Sequence, residues 1–144
     1  TKEEIDSRYS IRLERYIKDM LIEMHTLAEI ANTMVLPAGY AYAGSLAAAV
    51  ANAKTAGVTP VPQRQAANEA GTLVAAVQKS TTALVKAIAK AESMHHDPEK
   101  QAQFLTADGA GAMEAVRAAS DTLEINIGDG YWPLPRYREM LFPV

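Results

Sequence analysis

The sequence predicts an all-α protein: an antiparallel bundle of three long helices, the first kinked at a proline, closed by a short C-terminal helix. Three observations predict it. Alanine, the strongest helix former, makes up about a fifth of the 144 residues. Apolar residues recur at three- and four-residue steps, with no strand-like alternation. The prolines and glycines at residues 57–62, at 98 and at 128–135 divide the chain into three long segments and a tail. The length suits one domain, so 1–144 is read as a single helical bundle.

The first helix is expected from about Glu3 to Ala56. Ile5, Leu13, Tyr16, Ile17, Met20, Met24, Leu27, Ala31, Met34 and Val35 form its apolar pattern, with charged residues such as Arg12, Arg15 and Glu23 between them. Pro37 removes one backbone donor and crowds the preceding turn, so a kink is expected there rather than a stop. Gly57 is the expected C-terminal cap. The second helix, about Pro62 to Met94, places Ala66, Ala70, Leu73, Val74, Val77, Leu84, Ile88 and Ala91 on one stripe. Asp97-Pro98-Glu99 then supplies a cap, a first-turn proline and a favourable charge for a third helix ending near Ile127. Its expected inward residues are Phe104, Met113, Val116, Ala119, Leu123 and Ile127. Gly109 and Gly111 each weaken it by about 1 kcal/mol and should bend or fray it near Asp108. The tail starts extended at Pro133 and Pro135, and a short helix is expected over Pro135–Leu141. The short connectors make consecutive helices antiparallel neighbours.

Charge is uneven. Residues 1–30 carry five basic and seven acidic groups, residues 31–90 five and one, and residues 91–144 four and nine. A basic middle between acidic flanks favours packing the second helix against the other two. Exposed pairs are weak, so this biases arrangement more than it stabilises.

Several function classes find no support. With no cysteine there is no disulfide scaffold, thiolate metal site or cysteine nucleophile. Ile30–Ala53 is uncharged and long enough to span a bilayer, but its Asn32, Pro37, Ser45 and Asn52 argue against a transmembrane helix, and no membrane partner is expected. Gly39–Gly44 has the glycine spacing of a phosphate loop without the Lys and Ser/Thr that must follow, and its small residues are read as allowing close helix approach. His25 and Glu29, four apart, share a helix face and supply two metal ligands, but no third follows by spacing. A di-metal carboxylate bundle needs two Glu-x-x-His motifs, and only Glu92–His95 has that spacing. The few lysines of the middle region, without interleaved aromatics, do not make a nucleic-acid surface. No catalytic, cofactor-binding or metal-binding residue is therefore assigned.

The aromatic tail is the informative segment. Tyr131, Trp132, Pro133, Pro135, Tyr137, Leu141 and Phe142 are the interface candidates, since each aromatic offers about 150–250 Å² to bury. Either the tail folds back over one end of the bundle or it docks on a partner.

Trp132-Pro133-x-Pro135-x-Tyr137, followed by Met140-Leu141-Phe142, resembles the C-terminal end of type III glutamine synthetases. Thr1–Glu4 with Ser7-Arg8-Tyr9, Leu13-Glu14 and Tyr16-Ile17 is similar to the entry of that family's last helical region. Met34–Ala38 is similar to its proline-containing helix, and Met113, Arg117 and Asp121–Glu124 to its final long helix. Asp108–Gly111 departs from the bulkier residues expected there. The resemblance implies a C-terminal, non-catalytic fragment of a longer cytoplasmic ligase that makes glutamine from glutamate and ammonia with ATP and magnesium. It implies no cofactor in this fragment. Its implied partners are the upstream catalytic domain and neighbouring subunits of a homo-oligomer. The alternative from the residues alone is an independent helical protein–protein interaction module.

Overall fold

A computed structural model describes residues 1–141, and among them every regular element is helical. In order they are α1 (Lys2–Ile30), a π-helical turn (Ala31–Val35), α2 (Leu36–Thr55), α3 (Val61–Ser93) and α4 (Pro98–Phe104). A second π-helical turn (Leu105–Gly109), α5 (Ala110–Asn126), a 3-10 turn (Asp129–Tyr131) and α6 (Tyr137–Leu141) complete the fold. The three expected long helices are therefore present, the first and third each built as two α-helical parts around a π turn.

The first rod is helical from Lys2 to Thr55, about 80 Å at 1.5 Å per residue. Pro37 lies in the first turn of α2, and its effect is taken up in the turn before it. There the Leu36 N–H reaches back five residues to the Ala31 carbonyl. A π turn shifts the donor register by one residue, which accommodates a proline that has no N–H to give. Part of this rod is long and apolar enough to cross a membrane by length and composition alone. One of its faces, Ala31, Val35, Leu36 and Gly39, is buried by the rest of the protein.

Gly57 ends the rod as expected, with φ +75. The Val58 N–H bonds the Ala53 carbonyl and the Gly57 N–H that of Lys54, a Schellman pattern that only glycine enters without strain. Across the next corner Asp97 caps α4 by accepting from the Lys100 N–H. The Lys100 side chain, through its hydrogen bond, and then this backbone bond hold the Asp97 carboxyl below its ordinary value. The same corner is fastened from inside, where the buried Gln101 amide donates to the Ala91 carbonyl at 3.0 Å.

Contacts fix the directions. His25 of α1 meets Glu92 of α3, and Gly39 of α2 lies against Val74 of α3, so the first two rods run antiparallel. Tyr16 meets Thr106, Met24 meets Gly109 and Gly39 meets Leu123, so the third rod runs parallel to the first.

Two core clusters lie along the bundle. One gathers Ile17, Met24, Ala28 and Ala31 with Leu84, Ile88, Ala91, Ala102, Leu105 and Val116. The other gathers Val35, Leu36, Val74, Val77 and Leu123, with Trp132 and Leu134 from the tail packed on it. Full burial of a side chain such as Met24 or Leu105 is worth about 1.5–3 kcal/mol. The expected stripe of α3 is buried at Ala70, Val74, Val77, Leu84, Ile88 and Ala91, joined by Thr81, whose hydroxyl donates to the Val77 carbonyl.

Some expectations are corrected. Ile5 and Tyr16 were expected inward but are exposed: Ile5 lies where α1 runs on past the end of α3, which stops beside His25, and Tyr16 lies at the rim of the bundle with its hydroxyl 2.8 Å from that of Thr106. Gly109 does not fray the third rod. It lies in the π turn, where an added Cβ would come 3.4 Å from Met24 Sδ and from Leu105 Cδ2, so it is the small residue that lets Met24 approach. Gly111 faces open space. The short last helix begins at Tyr137 rather than Pro135.

Candidate functional site

α1 packs on α3 and α4, and α5 on α3, rather than on each other, and a groove is left between α1 and α5. Its volume is about 660 Å³, within the range of ligand and peptide clefts. From the first rod come Leu27, Ile30, Ala31 and Val35, and from α5 Ala110 and Met113, so the floor is apolar. Trp132, Leu134 and Pro135 of the tail close one end. The mouth is acidic: Glu23, Glu114, Asp121 and Glu124 line it, against a single cation among the described residues, Arg117. Arg117 Nε is 3.8 Å from Asp121 Oδ2, an exposed contact of little energetic weight.

The tail is folded back on the bundle and held by one residue that sequence reasoning missed. The Arg136 guanidinium donates to the carbonyls of Glu124 and Ile127 at 3.2 and 3.1 Å, and its Nε is 2.9 Å from Asp129 Oδ1. A cation on the last carbonyls of α5 satisfies orphan acceptors and the negative end of the helix dipole together. The only sequence signal was an arginine ten residues past the end of the helix it caps, which no local pattern connects to it. Tyr131 stacks edge-to-face on Tyr42, ring centroids 5.4 Å apart, and Gly128 lets both rings approach.

The interface candidates therefore divide. Trp132 and Pro135 meet at the end of the groove, with the buried Trp132 Nε1 lacking a hydrogen-bond partner among the described residues. Tyr131 and Pro133 are exposed beside them. Tyr137 opens α6, Leu141 is exposed at its end, and Phe142 lies outside the described residues.

The histidines are engaged in the bundle rather than gathered. His25 Nε2 is 2.9 Å from Glu92 Oε1, a link between α1 and α3. His95 Nδ1 lies 3.0 Å from the Glu92 carbonyl, and its ring rests 3.6 Å from that of His96. Among the described residues no three His, Cys, Asp or Glu side chains form a metal-holding group.

A second apolar surface is the N-terminal part of α1. Ile5 is 68% and Tyr9 54% exposed, large values for such side chains on a helix that elsewhere buries them.

Residues 1–54 match the family model described as glutamine synthetase C-terminal domain. A type-3 glutamine synthetase of Dictyostelium discoideum is 30% identical over 96% of this chain. Glutamine synthetases of Bacteroides fragilis (strain YCH46) and Butyrivibrio fibrisolvens are 26% and 32% identical over 96% and 99% of it. The chain spans about 20% of the length of each of these relatives.

Proposed function

We propose, starting from a chain that is a glutamine synthetase C-terminal domain by sequence, that residues 1–144 form one helical unit with a contact role and no chemistry of their own. The parent reaction is the ATP-dependent joining of glutamate and ammonia, a cytoplasmic ligase activity of nitrogen metabolism. The domain braces the catalytic portion of the parent or joins neighbouring subunits. The observation that carries this reading is the contact surface left open, an apolar groove closed at one end by the tail and an exposed apolar stripe on α1.

The groove does not fit ATP. A phosphate chain is held by cations or converging backbone N–H groups, and here four carboxylates surround one arginine. ATP and magnesium belong in this reading to the parent's catalytic portion.

Assayed alone with glutamate, ammonia, ATP and magnesium, the chain is expected to form no glutamine. Turnover would overturn the non-catalytic reading.

A further inference from the structure

Two surfaces of the chain are unpartnered, and their chemistries match. Lys2, Ile5, Arg8, Tyr9 and Arg12 follow one another at three-, three-, one- and three-residue steps and so share one face of α1. Glu3 and Glu14 point to the opposite side. Among the described residues Lys2, Arg8 and Arg12 take part in no ion pair, and all five stripe residues are exposed. This stripe is apolar along its middle and basic along its edges. The groove is apolar along its floor and acidic along its mouth.

The lengths agree as well. Lys2 to Arg12 spans about 15 Å of helix, and Glu23 to Val35, the groove's extent along the first rod, about 18 Å. Stripe and groove lie in line on the same side of the first rod, since Leu27 and Ile30 continue the face of Ile5 and Tyr9 at helical spacing. Being parts of one rod, they do not reach each other within a chain.

We propose that the occupant of the groove is the N-terminal stripe of α1 from a second copy of this chain, laid antiparallel, and that each copy gives its stripe to the other's groove. The arrangement is a closed two-fold dimer with its axis near the middle of α1, and it leaves neither surface uncovered. Ile5 and Tyr9 enter between α1 and α5 near Met113, Arg8 and Arg12 face Glu23 and Glu114, and Lys2 points toward the Asp121 and Glu124 end. This rests on the reading of the chain as a contact domain and names its partner.

Sedimentation equilibrium of the intact chain, from micromolar to millimolar, tests it. A monomer–dimer equilibrium that weakens with salt is expected. The charge reversals Arg8→Glu with Arg12→Glu, and separately Glu23→Lys with Glu114→Lys, each lower the association constant by at least about tenfold. These positions are exposed or half-buried, and circular dichroism checks that both variants stay helical. Mixing the two variants restores the dimer, because both halves of the mixed contact again pair opposite charges. A chain that stays monomeric at low salt overturns the proposal, as does a dimer indifferent to both reversals or a mixture that fails to recover. None of these results bears on the glutamine assay, so the dimer and the non-catalytic reading fail separately.

Discussion

The two core clusters are built on different terms. The one around Met24, Leu84 and Leu105 is made wholly by the long rods. The one around Val35, Val77 and Leu123 is finished by Trp132 and Leu134, which come from a tail with little regular structure. The first draws on rod-to-rod contacts throughout, whereas the second depends on whether a short extended segment stays docked. Long helices give cooperative burial; a tail held by one arginine is the weaker anchor, and local opening begins at such elements.

The largest expected effect strikes the self-contained cluster. Leu105→Ala leaves a cavity among fully buried neighbours and should cost about 2–5 kcal/mol in chemical denaturation. If the clusters are one cooperative unit, Trp132 fluorescence and helical ellipticity will fall at the same denaturant concentration. A fluorescence change that precedes the loss of helix would show that the tail-finished cluster opens first.

Gly39→Val tests the second cluster at its tightest point. The first side-chain carbon would come 2.7 Å from Val74 Cγ2, so rods must separate, at about 1–3 kcal/mol. A melting temperature equal to that of the parent chain would show that the approach of α2 to α3 is looser than the geometry implies.

Arg136→Met isolates the anchor. Losing its bonds to the Glu124 and Ile127 carbonyls should cost about 1–2 kcal/mol and shift Trp132 emission to the red as the ring meets water. Unshifted emission would show that apolar packing alone holds the tail.

Gly111→Ala has the smallest effect and the opposite sign. The position is helical and open, so alanine should stabilise by about 0.5–1 kcal/mol, read as a raised melting temperature. The same substitution at Gly109 meets Met24 and should gain less, a contrast that periodicity alone did not anticipate.

Much of the fold was legible because periodicity reports burial directly when a helix packs along its whole length. The α3 stripe, the Gly57 cap and the Asp97 cap are local facts of the sequence, and each is in place. Ile5 misled because its spacing is that of a core residue while its rod runs past its neighbours; length mismatch between helices leaves no local trace. Gly39, read as a residue of close approach, is one, while Gly44 in the same stretch faces nothing within 4 Å. The groove was illegible for a related reason. It arises from two helices failing to meet, and only assembled rods show that. Of the interface candidates, Trp132 and Pro135 stood out by composition, whereas Arg136, which sets their position, is an ordinary charged residue until its carbonyl partners are known.

The widened turn at Ala31–Val35 also governs how such chains are to be aligned with one another. It absorbs one surplus amino acid while keeping the faces on either side in phase, so Met24 and Gly39 both look inward across it. A cousin one residue shorter in that interval would run as an unbroken α-helix with the same sides turned to the core. Residue-by-residue comparison through this point must therefore allow a slip of one, and a gap there marks a conserved architecture rather than a damaged one.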